Sequence, residues 1–241
     1  MTDSRQIIAL GGGGFLMEPE NPLLDDFILS RARRPRPRIC YAGTASGDAL
    51  TGLVRFYRAF AGRNCIPTDL TLIGNGPMPR QPLETSDIEG FVAEQDVLYV
   101  GGGNTANLLA MWRAHGIDRA VRKAWEAGTV LCGVSAGMIC WFACAVTDSF
   151  GSLAALHDGL GFLPGSACPH FDDTTRRRPL YRELIAAGLP PGFAADDGAA
   201  LCFAGTELVE VVTSRPHAAA YRVERRADGV VEERLPSRFL S

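Results

Sequence analysis

Short apolar runs that end near glycine alternate with longer segments of helical pattern through the first half of this chain. This alternation is typical of βαβ units, which build a mostly parallel central sheet flanked by helices. The predicted strands are Gln6–Leu10, Arg38–Ala42, Asp69–Ile73, Asp96–Val100 and Thr129–Val134. The predicted helices lie within Ala49–Ala61 and Thr105–Ala127, where apolar residues recur at helical spacing. The fold class is therefore α/β.

The last quarter of the chain has a different pattern. Pro190-Pro191-Gly192 precedes three β-like runs, Ala199–Phe203, Glu207–Val212 and Ala219–Glu224, which we interpret as an extension of the same sheet. With 241 residues and 46% hydrophobic content, the chain can bury one sizeable core. The sequence therefore predicts a single α/β domain over residues 1–241.

The charge balance excludes several classes of partner. A net charge of -3 and a pI near 5.8 give no overall basic surface for nucleic acid, and no run of about 18 apolar residues could span a bilayer. The one basic run, Arg31–Arg38, lacks aromatic residues and contains prolines, which favours a solvated connection. A short polar leader without the features of a secretory signal favours the cytoplasm.

The seven cysteines have no partners at the spacing of a metal site. They include no C-x-x-C pair, and Cys140 and Cys144, one helical turn apart, are better explained by core packing than by half a metal site. We expect buried thiols and no metal.

The segment Gly133-Val134-Ser135-Ala136-Gly137 follows an apolar strand and precedes a helix. Flanking glycines let such a turn hold its serine in a strained conformation, with the hydroxyl exposed and the next N–H facing the same space. Ser135 is therefore the predicted nucleophile of a serine hydrolase.

A serine hydroxyl needs a base to remove its proton, and histidine is the usual one. Of the four histidines, His115 and His157 lie in a helical tract and a polar connection, positions typical of surface residues. His170 follows a segment that would end as a strand, and His217 lies after Pro216 in a predicted turn between two late strands. The sequence favours His170 over His217.

A carboxylate should orient that histidine. Asp172 and Asp173 follow His170 closely, and Asp196 and Asp197 lie between a Pro/Gly loop and an apolar run. If the stretch is extended, one of the two adjacent acids faces inward and the other outward. The residues alone leave this choice open.

The glycine-rich run Gly101-Gly102-Gly103-Asn104-Thr105 also follows a strand. It fits a loose dinucleotide fingerprint, but no acidic residue ends a further strand at the required distance, so NAD is not expected. Its exposed N–H groups could instead supply half of an oxyanion hole.

Taken together and in this order, four motifs resemble those of the S51 peptidase family, which includes aspartyl dipeptidase (peptidase E) and cyanophycinase. They are Val100–Thr105, Gly133–Gly137, Cys168–Phe171 and Asp196–Gly198, and the resemblance covers residues from about 5 to 213. It implies a fold like that of the class I glutamine amidotransferases, with serine in place of their cysteine, and no cofactor.

The resemblance also implies a role for individual residues. Ser135 would be the nucleophile, His170 the base and Asp197 the orienting acid, although relatives close to peptidase E often have glutamate at the last position. The N–H groups of Ala136 and of Gly102 or Gly103 would form the oxyanion hole.

Recognition of an N-terminal aspartate, as in peptidase E, would require a cation. Arg176, Arg177 and Arg178 follow His170 at a suitable position, and a guanidinium matches a carboxylate well. Arg176, Arg177 and, in the glycine-rich motif, Asn104 are the expected substrate contacts.

The leading hypothesis is a cytoplasmic serine peptidase that cleaves short peptides, such as dipeptides that begin with aspartate, and that is compatible with a homo-oligomer. Two alternatives remain. An esterase of the α/β-hydrolase type would use Ser135, then Asp196 or Asp197, then His217. A non-catalytic relative would only bind a small molecule.

Overall fold

The computed structural model describes residues 4–73 and 85–241. The strands are β1 (Gln6–Leu10), β2 (Arg38–Ala42), β3 (Ile66–Leu70), β4 (Val97–Val100), β5 (Val130–Val134), β6 (Phe142–Thr147), β7 (Ala154–Leu156), β8 (Leu163–Cys168), β9 (Gly192–Ala195), β10 (Ala199–Ala204), β11 (Glu207–Thr213), β12 (Ala220–Arg226), β13 (Gly229–Arg234) and β14 (Arg238–Phe239). The helices are α1 (Gly14–Met17), α2 (Leu23–Ser30), α3 (Leu50–Phe60), α4 (Thr85–Ala93), α5 (Thr105–His115), α6 (Ile117–Ala127), α7 (Ala136–Ile139) and α8 (Arg177–Ala186).

The larger sheet has eight strands in the order β14-β11-β10-β1-β5-β4-β2-β3. The five strands from β1 to β3 in this order pair in parallel, and β10 runs antiparallel to β1. Parallel strands bring their carboxyl ends to one edge, which is where open α/β sheets bind ligands. The segments that follow β1, β2, β4 and β5 therefore meet at this edge. The predicted α/β class with a mostly parallel central sheet is confirmed.

A second sheet of six strands has the order β13-β12-β9-β8-β6-β7. Its strands β8 and β9 are parallel and end in the segments that carry His170 and Asp197. Of the three late β-like runs, the first two extend the larger sheet as β10 and β11. The interpretation of the third as part of that sheet is wrong, because β12 pairs antiparallel with β9, with Ala220 opposite Ala195.

Two predicted elements have different bounds in the structure. The helical tract 105–127 is divided at Gly116, whose φ of 69° ends α5 and precedes α6. The predicted strand Asp69–Ile73 lies three residues too late, since β3 pairs with β2 from Ile66 to Leu70. This strand is at the sheet edge and half-buried, so its apolar pattern is weak.

An aromatic cluster on one face of the larger sheet fixes α1 and α3. The Phe15 ring lies 4.9 to 5.7 Å, centroid to centroid, from the rings of Tyr41, Phe56, Phe60 and Tyr99, and all five side chains are buried. Burial of each large apolar side chain contributes roughly 1.5–3 kcal/mol. The short helix α1 is therefore held firmly against α3 above the carboxyl ends of the strands.

Other sequence expectations concern the surface and the thiols. All seven cysteines are free and buried, as predicted. In the basic run 31–38, Arg34 pairs with Asp96 at 3.4 Å and Arg38 with Glu94 at 3.6 Å, contacts that fit a structural connection. Within residues 4–73 and 85–241, no helix has the length and apolarity needed to cross a membrane.

Candidate active site

Ser135 lies at the turn between β5 and α7, at the carboxyl edge of the larger sheet. Its φ of 57° and ψ of -111° are strained for a residue with a side chain. The glycines on both sides are required by close backbone contacts, because a methyl group on Gly133 would lie 2.5 Å from the Gly137 carbonyl oxygen and one on Gly137 would overlap the Val100 carbonyl oxygen. The turn therefore has the tight geometry expected for a nucleophile elbow.

His170 reaches Ser135 from the second sheet. It follows β8 and Pro169, has a φ of 52°, and its N–H donates a hydrogen bond of 3.3 Å to the Gly11 carbonyl after β1. This bond ties the end of β8 to the carboxyl edge of the larger sheet. His170 Nε2 lies 2.9 Å from Ser135 Oγ, within hydrogen-bond reach.

Asp197 completes a chain of three side chains. Its Oδ1 lies 2.6 Å from His170 Nδ1. Because a carboxylate only accepts, Nδ1 carries the proton of the neutral ring, and Nε2 is left to accept the Ser135 hydroxyl proton. The Asp197 N–H donates to Asp172 Oδ1 at 3.0 Å, which fixes the backbone of Asp197.

The neighbouring Asp196 faces the other way. Its Oδ2 accepts the Ala219 N–H at 3.0 Å, and burial raises the pKa of its carboxyl to about 6. Asp173 accepts from Thr175 and Arg176 at the start of the segment before α8. Of the four acids left open by the sequence, the structure thus places Asp197 against the histidine.

The backbone near Ser135 Oγ offers hydrogen-bond donors. A methyl group on Gly102 would lie 3.3 Å from Ser135 Cβ and 3.9 Å from its Oγ, so the Gly102 backbone packs directly against Ser135. Gly103 has a φ of 137° and packs against the Ala45 carbonyl. Among the residues the structure describes, the N–H groups of Gly102, Gly103 and Ala136 bond to no protein acceptor. They remain available to a ligand oxygen.

A cavity of about 390 Å³ opens beside the serine. Its walls come from α1 and α3, from the segments after β2 and β4, and from the side chains of Ser135 and His170. They include Leu16, Met17, Thr51, Arg55, Ser135 and His170. The lining is largely apolar, with Arg55 as its permanently charged side chain.

Three predicted substrate contacts lie elsewhere. Arg176 pairs with Asp173 at 3.1 Å and is 75% exposed, and Arg177 pairs with Asp148 at 3.1 Å. Asn104 caps α5 by accepting the Asn107 N–H at 2.9 Å and donates to the Ser149 carbonyl. None of the three lines the cavity, and substrate contact by them stays a prediction.

Sequence reasoning missed Arg55. It lies on α3 outside every motif, and an arginine on an exposed helix face is an ordinary surface residue in a sequence. Its place on the first helix after β2, a helix that begins at the carboxyl edge, is the only sequence signal that could have drawn attention to it.

The remaining histidines take no part in the site. His217 is exposed in the turn after β11, His157 is exposed, and His115 is the last residue of α5. The structure thus pairs Ser135 with His170 and not with His217, on which the esterase alternative depended. Within the described ranges, no group of three or more His, Cys, Asp or Glu side chains is arranged to hold a metal ion.

Comparison with known proteins identifies the family of this chain. The family described as peptidase family S51 matches residues 7–211. The chain belongs to peptidase family S51. It is 49% identical over 237 residues to the uncharacterized peptidase YgaJ of Bacillus subtilis (strain 168), a match that covers 98% of this chain and 99% of that one.

Solved structures of two other proteins share the fold. A peptidase from an acI-B1 Actinobacterium superposes with a TM-score of 0.67 at 18% identity, over 96% of this chain and 94% of that one. A structure from Listeria monocytogenes EGD-e that carries a peptidase E name gives 0.55 at 16% identity, over 96% and 99%. The fold is therefore class I glutamine amidotransferase-like, as the sequence predicted.

Proposed function

We propose that this S51 peptidase is a serine peptidase that hydrolyses short peptides through an acyl-enzyme. The observation that supports it best is the hydrogen-bonded chain from Asp197 through His170 to Ser135, with distances of 2.6 and 2.9 Å. A nucleophile, a base and an orienting acid in this relation are what serine catalysis requires. No metal or organic cofactor takes part in the proposed reaction.

The mechanism follows from the positions of the protons. Ser135 Oγ attacks the scissile carbonyl carbon while His170 Nε2 takes its proton, and Asp197 stabilises the resulting imidazolium. The N–H groups of Ala136 and of Gly102 or Gly103 bind the oxyanion of the tetrahedral intermediate. His170 then gives its proton to the leaving amine, and a water molecule activated by the same imidazole hydrolyses the ester on Ser135.

The size of the cavity favours small substrates. Its volume of about 390 Å³ is near the lower end of the range of roughly 300–1,000 Å³ found for small-molecule clefts. Helices α1 and α3 form a wall close to the serine, so a long chain would have to leave the cavity within a few residues. We infer short peptides, and we do not base an aspartate preference on Arg176 and Arg177, because both are paired with acids.

The test is hydrolysis of a panel of dipeptides and tripeptides, followed by mass spectrometry, by the wild-type protein and by Ser135→Ala. We expect the wild type to release free amino acids from some members of the panel and Ser135→Ala to lose at least about 10⁴-fold in rate. Thermal unfolding checks that the variant is folded. Equal hydrolysis by both proteins would overturn the proposal. Binding without hydrolysis by the wild type would instead identify a non-catalytic relative.

A further inference from the structure

The cavity beside Ser135 contains one charged group that the proposed mechanism does not use. Arg55 projects from the middle of α3, five residues before the end of this helix, and lines the same cavity as Ser135 and His170. The mechanism needs a nucleophile, a base, an acid and backbone donors, and none of these is a guanidinium. The position of Arg55 therefore calls for a separate explanation.

Arg55 is held in place without being neutralised. Its Nη1 donates a hydrogen bond of 2.7 Å to the Leu16 carbonyl, which links α3 to α1 across the rim of the cavity. Among the residues that the structure describes, no carboxylate lies within ion-pair distance of it. A guanidinium has five N–H donors in a planar fork, so most of them remain available.

Other arginines in and near the site are paired with acids. Arg176 pairs with Asp173, Arg177 with Asp148, and Arg215 with Glu18 at 2.8 Å. Arg55 thus differs from them in both respects that matter for a ligand, since it has no acidic partner in the described part of the chain and it lines the cavity.

The surroundings of Arg55 favour an anionic ligand group. Leu16, Met17 and Val134 give part of the cavity an apolar lining, so the exposed guanidinium of Arg55 is the permanently charged group that an anion entering the cavity would meet. A guanidinium matches a carboxylate by two parallel hydrogen bonds and binds it more strongly than a neutral group. Peptides carry such a group either at the C-terminus or on an acidic side chain.

We propose that Arg55 is a specificity-determining residue that binds a carboxylate of the peptide substrate. This inference rests on the proposed function and adds to it a substrate class, short peptides with a free carboxylate near the scissile bond. Two sources share this chemistry. The carboxylate is either the C-terminus of the leaving residue, which would restrict the enzyme to very short peptides, or the side chain of an acidic residue.

The experiment compares kcat/KM for matched substrates in three variants. Each cleaved dipeptide is assayed as the free acid and as its C-terminal amide, and Asp-initiated peptides are assayed beside Asn-initiated ones. The variants are Arg55→Gln, Arg55→Lys and Arg58→Gln. Arg58 provides a matched control. It lies on the same helix as Arg55, is also exposed and carries the same charge, but it does not line the cavity.

In one of the two peptide pairs, we expect the wild type to have a kcat/KM about 10- to 100-fold higher for the peptide with the carboxylate than for its neutral counterpart. This is the usual effect of a hydrogen bond to a charged group. Arg55→Gln should lose this preference, mainly through KM, while Arg55→Lys keeps part of it and Arg58→Gln keeps all of it. Loss of the acid-to-amide preference identifies the C-terminus, and loss of the Asp-to-Asn preference identifies the side chain. An unchanged preference in Arg55→Gln would overturn the inference.

A binding measurement separates this inference from the proposed function. Calorimetric titration of Ser135→Ala, and of the same protein with Arg55→Gln added, uses both pairs of peptides, free acid with amide and Asp-initiated with Asn-initiated, and needs no turnover. If Ser135→Ala binds a carboxylate peptide more tightly than its neutral counterpart, and Arg55→Gln removes this difference, the inference is supported even if the wild type hydrolyses nothing. Equal affinity for charged and neutral peptides overturns it even if the wild type is an active peptidase.

Discussion

Asp197 Oδ1 lies 2.6 Å from His170 Nδ1, and this contact determines which ring nitrogen of His170 faces Ser135 without a proton. The bond depends on the end of β9, because Gly12 and Asp197 form a parallel bridge that joins the two sheets at this point. Although aspartate has a shorter side chain than glutamate, Asp197 reaches the imidazole. Asp197 is thus the orienting acid of the proposed mechanism.

Asp197→Asn should lower kcat by about 10³- to 10⁴-fold, because an amide that donates to Nδ1 favours the wrong tautomer of His170. Steady-state kinetics on the best peptide of the panel measures the loss. Asp196→Asn is the matched control, since its side chain can still accept from Ala219 and does not touch the imidazole. Equal losses in both variants would contradict the assignment.

His170→Ala should reduce kcat/KM by about 10⁴-fold or more, because no other base lies within reach of Ser135 Oγ in the described residues. His217→Ala should leave the rate within about twofold, since an exposed turn residue rarely affects stability or chemistry. Parallel assays of the two variants decide between them. A larger loss of rate in His217→Ala than in His170→Ala would instead support the esterase alternative, in which His217 is the base.

Gly102→Ala should reduce kcat by about 10²- to 10³-fold, as expected when a donor of an oxyanion hole is displaced. Its added methyl group would lie 3.3 Å from Ser135 Cβ and would push the backbone and the serine apart. Gly90→Ala is the control. Gly90 lies in α4, and a methyl group at this position would meet no atom within 4 Å. The prediction fails if Gly102→Ala retains the wild-type kcat with an intact fold.

Much of the site could be predicted from the sequence because its members stand in motifs. The glycine-flanked Ser135, the strand that delivers His170 and the pair Asp196-Asp197 each have a local pattern, and the nucleophile and base follow from the chemistry of their residue types. The choice of Asp197 from the residues alone was not possible. It depends on which acid faces the histidine, and that is fixed by the pairing of Ala219 with Asp196.

The parts that sequence reasoning missed depend on long-range packing. Strand β12 belongs to the second sheet because it returns to pair with β9 across about 25 residues of chain, and no local signal distinguishes this from an extension of the first sheet. The ion pairs of Arg176 with Asp173 and of Arg177 with Asp148 likewise depend on packing that the sequence does not show. Arg55 enters the cavity only because α1 and α3 pack together.

Asp25 should make the stability of the fold depend on pH. Burial raises the pKa of its carboxyl from 3.8 to about 7, so between these values the folded state binds a proton that the unfolded state has lost. Stability therefore falls as pH rises through this window, by about 3 kcal/mol from pH 5 to pH 8 at 1.36 kcal/mol per pKa unit. Asp25→Asn cannot ionise and should lack this loss.

Urea unfolding of the wild type and of Asp25→Asn at pH 5 and pH 8 measures the difference. Asp26→Asn is a suitable control, because Asp26 is the next residue on α2 and is exposed. Parallel pH dependences in the wild type and in Asp25→Asn would contradict the prediction.

The most direct test of the central claim, that Ser135 is a nucleophile activated by His170, is covalent labelling with a broad serine-directed phosphonate. Intact mass and peptide mapping would locate the adduct. We predict one adduct per chain, on Ser135, formed rapidly by the wild type, at least about 10³-fold more slowly by His170→Ala, and not at all by Ser135→Ala. Labelling at another residue, or equal rates in the wild type and in His170→Ala, would contradict the account.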